Sequence, residues 1–251
     1  PNAVFDNYLV LEKLCKLEYI VGRPLSYSGL NHHPNFYTLE NNQAGNIMSN
    51  INTIFFDVGG VLLTNGWDHI TREAAAAAFK YNYEKVEEKH QQHAENFECG
   101  RISLKEYLDQ VIFTEPRSFT LEEYADFMET QSQPHPENQG LLRHLAKADK
   151  YQLATINNES LALNEYRIKT YRLYESVPHF FSSCYMGVMK PDCDIFQRVL
   201  WITHQKGEQC LFVDDRQENV EAARSCGLRA AWLEKPSNLA KVLKGAGVEI
   251  N

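Results

Sequence analysis

The stretch TIFFDVGGVL, residues 53–62, is an apolar run that ends on a carboxylate and then breaks at two glycines. Four consecutive apolar or β-favouring residues predict a buried strand. An acid at the end of such a strand lies at the rim of a sheet, where α/β proteins place their reactive groups. We therefore interpret Asp57 as a nucleophile around which the rest of the chain is arranged.

Length and composition limit the classes of protein to which this chain can belong. Its 251 residues suffice for one large domain or for a domain with an insert, and 43% hydrophobic with 23% charged residues is typical of a globular protein. A net charge of −8 argues against nucleic acid and anionic membranes as partners, because no basic surplus is present to neutralise phosphates. No apolar run approaches the length of a membrane span.

The cysteines and the amino terminus predict a cytoplasmic protein. None of the six cysteines, at positions 15, 99, 184, 193, 210 and 226, forms a C-x-x-C pair, which argues against a zinc site. We expect reduced, mostly buried thiols. The first residues include Asp6, Glu12 and Glu18 instead of the basic start and apolar core of a secretion signal.

Three regions follow from the pattern of the chain. Residues 1–47 predict an extension before Met48, with a short amphipathic helix followed by loop-rich sequence; the alternative is that this helix docks on the core. Residues 68–133 predict four helices and no strand, which indicates a helical bundle inserted after the first strand. Residues 48–67 and 134–251 form the predicted core.

The core sequence predicts an α/β fold with a doubly wound parallel sheet. Strand-like and helix-like segments alternate after residue 134, which is typical of parallel strands joined by crossover helices. In the insert, the capping boxes that begin at Ser103 and Thr120 mark the starts of two helices, and Asn82 is a suitable cap for a third.

Polar side chains follow three of the predicted strands at the point where each strand ends. They are Asp57, the pair Asn157 and Asn158, and the pair Asp214 and Asp215. Because parallel strands place their carboxyl ends on one side of the sheet, we expect these groups to converge. Clustered carboxylates with neighbouring oxygen donors favour Mg²⁺, a hard cation.

The same groups suit the transfer of a phosphoryl group. Asp57 beside Mg²⁺ can attack phosphorus and form an aspartyl-phosphate, and Lys190 can balance the negative charge of the carboxylates and the phosphoryl group. Backbone N–H groups of the Gly59-Gly60 turn and the Asn157 amide can hold the phosphoryl oxygens.

These segments, in this order, resemble the four motifs of the haloacid dehalogenase (HAD) superfamily, whose members are mainly phosphatases. The likeness extends over about residues 52–232 and is carried by residues 57–61, residues 156–158, residues 190–192, and residues 213–215 with Asn219. The inserted helices resemble that family's helical cap, which implies a lid that closes over the site, selects the substrate and excludes water. The branch of small sugar-phosphate phosphatases is the most similar.

The resemblance implies a Mg²⁺-dependent phosphomonoester hydrolase that acts on a small phosphorylated metabolite through an aspartyl-phosphate. It implies Mg²⁺ ligands at Asp57, the Gly59 carbonyl and Asp215, with Asp214 in support. The residues expected to bind the phosphoryl group are Gly59, Gly60, Asn157, Asn158 and Lys190.

Two positions differ from the family's pattern. Gly59 stands where the phosphatases mostly carry a second Asp that acts as general acid, and Asn157 stands where Ser or Thr is usual. Losing a general acid typically lowers the rate by on the order of 10²–10⁴-fold. We expect a substitute acid, if there is one, from Asp68 or His69. For Glu95, Glu98 and Arg101 we expect a solvated loop between helices of the insert.

Two other functions remain open on the sequence. A 2-haloacid dehalogenase would use Asp57 on carbon without a metal, although the Asp214-Asp215 pair argues against it. A non-catalytic protein that binds a ligand or partner would account for Gly59 and Asn157. The loop that selects the substrate follows no sequence code, so neither the substrate nor the oligomeric state follows from the sequence.

Overall fold

A computed structural model of the chain describes residues 50–250, and the predicted extension over residues 1–47 lies outside them. Within the described residues, five parallel strands form one sheet in the order β3-β2-β1-β4-β5. The strands are β1 (Thr53–Phe56), β2 (Gln152–Asn157), β3 (His179–Ser182), β4 (Cys210–Asp214) and β5 (Arg229–Trp232). The prediction of a parallel α/β sheet is confirmed.

Helices pack on both faces of this sheet. In chain order the helices of the described residues are α1 (His69–Phe79), α2 (Tyr83–Glu98), α3 (Leu104–Val111), α4 (Leu121–Thr130), α5 (Pro136–Ala148), α6 (Leu161–Thr170), α7 (Ser183–Met186), α8 (Cys193–Thr203), α9 (Gln217–Ser225) and α10 (Leu239–Gly245). None of them is long and apolar enough to cross a membrane. The short helix α7, directly after β3, was not predicted.

Strand β1 lies at the centre of the sheet because both of its faces are apolar. Ile54 and Phe56 belong to a core cluster with side chains of α5 and α10, whereas Phe55 belongs to a second cluster with side chains of α8 and α9. All three side chains are at most 1% exposed. Since alternate strand residues point to opposite faces, an unbroken apolar run places this strand between two helix layers and its last carboxylate at the rim.

Helices α1 to α4 lie between β1 and α5 and enclose a hydrophobic cluster of their own. Tyr107, Leu108, Tyr124 and Met128 are fully buried in it, and Leu163 of α6 joins it from the sheet domain. The capping boxes predicted at Ser103 and Thr120 are both formed, and Asn82 caps α2. These side chains satisfy backbone N–H groups that the first helical turns leave free.

The two connections between these four helices and the sheet run side by side. Thr64 in the first connection and Gln133 in the second form two hydrogen bonds, from Thr64 N to the Gln133 carbonyl at 2.8 Å and from Gln133 N to Thr64 Oγ1 at 2.9 Å. An isolated β-bridge joins Leu63 to Pro134. The four helices therefore leave and re-enter the sheet domain at one point.

The expectation that all thiols are reduced is wrong for one pair. Cys193 at the start of α8 and Cys226 just after α9 form a disulfide, with Cα atoms 5.9 Å apart. The pair is 33 residues apart in sequence and meets because α8 and α9 pack on the same face of the sheet. Cys99 and Cys210 are free and buried, and Cys184 is free and partly buried.

We predict that Asn138 on α5 is needed for stability because it holds the turn that follows Asp57. Its buried Nδ2 donates to the Val61 carbonyl at 2.7 Å and to the Pro236 carbonyl at 3.0 Å. The variant Asn138→Leu should lower the free energy of unfolding by about 1–3 kcal/mol, since two carbonyls lose their donor. Chemical denaturation measures this loss.

The neighbouring Gln139 provides a matched control. It is buried on the same helix, but its Nε2 has no hydrogen-bond partner among the described residues. Gln139→Leu should therefore leave the free energy of unfolding unchanged or raise it slightly. Equal losses in the two variants would show that the Asn138 hydrogen bonds contribute nothing.

Candidate active site

Asp57 lies one residue after β1, and its carboxylate is held by hydrogen bonds. Its Oδ1 accepts from the Val58 N–H at 2.8 Å and lies 3.0 Å from Lys190 Nζ. The Asp57 N–H donates to the Val213 carbonyl at 2.8 Å, which extends the sheet pairing to this residue. Asp57 is 8% exposed and lines a cavity.

Lys190 is the cation of the site and is almost fully buried. Its Nζ lies 2.6 Å from Asp214 Oδ2 and donates to the Ile156 carbonyl at 3.0 Å, in addition to its contact with Asp57. Burial alone lowers the pKa of the amine, but the charges of Asp214 and Asp57 together raise it above its ordinary value. Lys190 is therefore a permanent ammonium between two carboxylates.

The neighbouring acids Asp214 and Asp215 occupy different environments. Asp214 is 0% exposed, and its oxygens accept from Lys190, from the Arg216 N–H at 2.8 Å and from Asn219 Nδ2 at 3.1 Å. Asp215 lines the cavity and accepts from Asn65 Nδ2 at 3.4 Å. Asp214 is thus used to hold Lys190, whereas Asp215 remains available to a ligand.

The three carboxylates can hold a divalent cation. One oxygen each of Asp57, Asp214 and Asp215 lie within 4.8 Å of one another. The pKa of Asp57 is raised to about 7, mainly by burial and further by the charges of Asp214 and Asp215, against the lowering effect of Lys190. Clustered oxygen donors of like charge favour a hard cation such as Mg²⁺, and a bound cation would offset the repulsion between the three carboxylates.

The glycine turn lets the Asp215 carboxylate lie close to the backbone that follows Asp57. Gly60 has φ +68°, and a Cβ built there would lie 2.2 Å from Asp215 Oδ2. Only a glycine satisfies both the left-handed backbone and this close approach. Gly59 lines the same cavity as Asp57, whereas Gly60 lines an adjoining one beside Asp215.

The side chain of Asn157 does not face the cavity, which corrects its predicted role as a phosphate ligand. It is 1% exposed; its Nδ2 donates to Asn164 Oδ1 at 3.1 Å, and its Oδ1 accepts from Ser182 Oγ at 2.9 Å. The amide joins the ends of β2 and β3 because Asn164 and Ser182 supply nearby polar partners that strand periodicity does not reveal.

Asn158 does line the cavity, but its amide is occupied by the backbone of Lys190. Asn158 Nδ2 donates to the Lys190 carbonyl at 2.8 Å, and Asn158 Oδ1 accepts from the Lys190 N–H at 2.9 Å. The side chain predicted to bind phosphate is therefore used to position the backbone of the lysine.

The cavity in front of Asp57 has a volume of about 490 Å³. The sheet domain supplies one wall, which includes Asp57, Gly59, Lys190 and Asp215. The other wall belongs to α1, α2 and the connection before them, with charged and polar side chains predominating: Trp67, Asp68, His69, Arg72, Glu87, His90, Gln91 and Glu98. A ligand held between these walls must offer many hydrogen-bonding groups.

Hydrogen bonds fix the side chains of the second wall. Arg72 donates to both oxygens of Glu87 at 2.8 Å, and this hydrogen bond lowers the pKa of Glu87 to about 2. His90 Nδ1 lies 2.8 Å from the Tyr107 hydroxyl, and burial lowers its pKa to about 4, so the imidazole is neutral at pH 7. Asp68 and His69 also line the cavity, and Asp68 accepts from the Thr71 N–H as the cap of α1.

The expectation of a solvated loop is wrong for Glu98. Glu95 and Glu98 both lie in α2, and Glu95 is exposed and paired with Arg101 at 2.9 Å. Glu98 is partly buried in the cavity wall, where burial and the nearby Glu159 raise its pKa to about 7. Sequence reasoning missed this acid because α2 continues three residues beyond Glu95 and turns Glu98 inward.

Sequence reasoning also missed the buried pair of Glu159 and Arg167. Arg167 Nη1 lies 2.7 Å from Glu159 Oε2, and both residues line the cavity. Glu159 directly follows the Asn157-Asn158 segment, which is the one signal that could have pointed to it. Arg167 belongs to no motif, and only the orientation of α6 brings it to the site.

We predict that Glu98→Gln stabilises the protein at high pH only. Because the pKa of Glu98 is about 7 in the folded protein and 4.5 ordinarily, the free energy of unfolding falls as pH rises through this interval. The variant should exceed wild type by about 1–3 kcal/mol near pH 8 and match it near pH 4. Urea denaturation at both pH values tests this, with the exposed Glu88→Gln on α2 as control; a gain independent of pH would contradict it.

Residues 51–227 match the family of haloacid dehalogenase-like hydrolases. A curated relative, the chloroplast protein flavin mononucleotide hydrolase 1 of Arabidopsis thaliana, is 30% identical over 155 residues. The match covers 62% of this chain and 62% of that relative, less than two thirds of its length.

Solved structures share the fold at low sequence identity. A HAD family enzyme from Bacteroides thetaiotaomicron superposes with a TM-score of 0.68 at 19% identity, over 77% of this chain and 98% of that one. A complex of that enzyme with magnesium and inorganic phosphate gives 0.62 at 20% identity, over 72% and 93% of the chains. A 2-haloacid dehalogenase from Pseudomonas syringae gives 0.55 at 18% identity, over 78% and 99%. The family match over residues 51–227 decides the assignment: the chain belongs to the haloacid dehalogenase-like hydrolase family.

Proposed function

We propose that this protein is a Mg²⁺-dependent phosphomonoester hydrolase that acts on a small phosphorylated metabolite through an aspartyl-phosphate at Asp57. The observation that carries the proposal is the cluster of Asp57, Asp214 and Asp215 with the buried Lys190, at the floor of a half-open polar cavity. This cluster combines a nucleophile, oxygen ligands for a cation and a fixed positive charge.

Mg²⁺ fits the residues present. Asp57 and Asp215 both face the cavity and would be its carboxylate ligands, with the Gly59 carbonyl as the predicted third ligand and Asp214 in support through Lys190. When bound, the ion would lower the pKa of Asp57 and neutralise charge on the phosphoryl oxygens.

In the first proposed step, Asp57 attacks phosphorus. Its Oδ1 is held by the Val58 N–H and Lys190, so Oδ2 is the oxygen free to attack. A bond forms between Oδ2 and phosphorus while the bond from phosphorus to the leaving-group oxygen breaks, and the electron pair departs with that oxygen. Lys190 balances the charge of the phosphoryl group, and the backbone N–H groups of the glycine turn orient its oxygens.

In the second proposed step, water releases the phosphate. Its oxygen attacks phosphorus, the bond to Asp57 Oδ2 breaks, and the electron pair returns to the carboxylate. One water proton passes to the departing phosphate or to solvent. Both steps need bulk water kept out, because the reacting charges are stabilised more strongly in a dry site.

We propose that residues 68–133 act as the helical cap that provides this closure. Their own core and the paired connections at Thr64 and Gln133 would let them move as one body. A cavity of about 490 Å³ is in the size range of small-molecule sites, which supports a small phosphorylated metabolite as the substrate rather than a folded protein or a nucleic acid duplex. Residues 48–67 and 134–251 would then form the catalytic core.

The name of the Arabidopsis relative suggests which substrates to test first and bears on where the protein is located. The Arabidopsis relative is named for flavin mononucleotide, so this phosphate ester heads the substrates to be tested, with sugar phosphates beside it. That relative's name also places it in the chloroplast, and a cytoplasmic location for this chain stays a prediction. A 2-haloacid dehalogenase activity is the second candidate, favoured by the fold shared with a dehalogenase.

We predict phosphate release that requires both Mg²⁺ and Asp57. A panel of phosphorylated metabolites should yield phosphate with Mg²⁺ and none after chelation, and Asp57→Asn should lower the rate by at least about 10³-fold. Asp149→Asn, at an exposed left-handed position that Asn tolerates, is the matched control. Phosphate release by Asp57→Asn at the wild-type rate would refute the nucleophile, and halide release from 2-haloacids without Mg²⁺ would favour the dehalogenase.

We predict that Gly60→Ala weakens activation by Mg²⁺. The new methyl group would displace the Asp215 carboxylate, so the Mg²⁺ concentration for half-maximal activity should rise about 10–100-fold. Gly227→Ala is a control with matched backbone strain, because Gly227 also has positive φ but a Cβ there would meet nothing within 4 Å. An unchanged Mg²⁺ requirement in Gly60→Ala would exclude Asp215 as a ligand.

A further inference from the structure

Arg167 on α6 is a buried arginine in the wall of the cavity. The side chain is 3% exposed and lines the cavity with Asp57. Its Nη1 pairs with Glu159 at 2.7 Å and its Nε donates to Ser132 Oγ at 2.8 Å. Its Nη2 has no hydrogen-bond partner among residues 50–250. Buried polar groups are almost always paired, so an unpaired one in a cavity wall points to a ligand.

The guanidinium lies against the position where the general acid is missing. A Cβ built on Gly59 would lie 3.8 Å from Arg167 Nη1 and 2.7 Å from Asn65 Oδ1. A longer acidic side chain at position 59 would thus run into the space that Arg167 and Asn65 occupy. Arg167 therefore lies within reach of a side chain extending from position 59, where the family's phosphatases mostly carry the acid.

A second glycine makes room for this arginine. A Cβ built on Gly66 would lie 1.9 Å from Arg167 Nη2 and 3.0 Å from Ser132 Oγ. Any larger residue at position 66 would displace the guanidinium. The connection from β1 to α1 therefore needs a glycine at the point where it packs against Arg167. Gly66 also lines the cavity.

An arginine cannot replace an acid by giving up a proton, because its guanidinium stays protonated in proteins. It can stabilise negative charge that develops on an oxygen, and one preorganised donor of this kind is typically worth about 10²–10³-fold in rate. Glu159 balances the charge of Arg167 before the substrate arrives, and Glu159 and Ser132 act as positioning residues for the guanidinium.

We propose that Arg167 Nη2 donates a hydrogen bond to the leaving-group oxygen as its bond to phosphorus breaks, and so takes over the electrostatic part of the missing acid's role. The inference rests on the proposed phosphatase function. As Asp57 attacks, the electron pair of the breaking bond moves onto the leaving oxygen, which Arg167 stabilises. That oxygen then takes a proton from water, and the hydroxide formed is neutralised by the buffer.

This role predicts a specific dependence on the leaving group. An alkyl ester expels a strongly basic oxygen that needs the donor, whereas a dinitrophenyl ester expels an oxygen stable without it. Loss of Arg167 should therefore harm alkyl esters far more than activated aryl esters. A merely structural role for Arg167 would lower the rates with all esters by one factor.

The test measures kcat/KM for dinitrophenyl phosphate, phenyl phosphate and an alkyl phosphate with Mg²⁺ present. This parameter reports the step in which the leaving group departs. Since Arg167→Gln alone would leave Glu159 buried without its cation, the double variant Arg167→Gln, Glu159→Gln is measured as well. Arg167→Lys keeps a cationic donor, and the exposed Arg143→Gln on α5 is the control.

In the double variant, kcat/KM should fall about 10²-fold with the alkyl ester and less than about threefold with the dinitrophenyl ester. Arg167→Lys should restore part of the loss with the alkyl ester, and Arg143→Gln should match wild type. Equal losses across the three esters would overturn the assignment. So would a Glu98→Gln variant that shows the selective loss while the double variant does not, because Glu98 would then be the acid. A wild-type protein inactive on every ester would overturn the proposed function itself.

Discussion

The ammonium group of Lys190, held between the carboxylates of Asp57 and Asp214, is the interaction on which the rest of the site depends. Removing two or three charges from water is costly unless they are paired and hydrogen-bonded, and here each is. Asn219 and the Arg216 N–H complete the shell of Asp214, and Asn158 clamps the backbone of Lys190. The pairing therefore offsets part of the cost of ending three strands on buried polar groups.

The two walls of the cavity contribute different groups. The sheet wall carries the proposed nucleophile Asp57, the buried cation Lys190 and the proposed Mg²⁺ ligands, while α1 and α2 supply the Arg72–Glu87 pair, His90 and Glu98. Arg167 contacts both connections between the inserted helices and the sheet domain. It donates a hydrogen bond to Ser132 in the second connection and packs against Gly66 in the first. The chemistry and the connections of the inserted helices are thus linked through one buried side chain.

Sequence patterns predicted the strands and the convergence of Asp57, Lys190 and Asp215 because these depend on local periodicity and on the rule that parallel strands end together. They failed where a side chain had a choice of partners. Asn157 turned towards Asn164 and Ser182, Glu98 turned inward from the end of α2, and Cys193 paired with Cys226. Each outcome depends on residues far away in sequence or on helix rotation, which no local motif records.

The sequence by itself determined the parallel sheet, the family and the position of Asp57 at the end of the central strand, because an apolar run that ends on an acid before two glycines can occupy few places in a fold. Only the tertiary structure decided which polar groups face the cavity. In the folded chain, Asp214 and Asn158 hold Lys190, and Asn157 is bonded away from the cavity. Arg167 lies beside Gly59. The physical reason is that a buried donor takes the nearest acceptor in space, and that neighbour is fixed by the packing of whole helices.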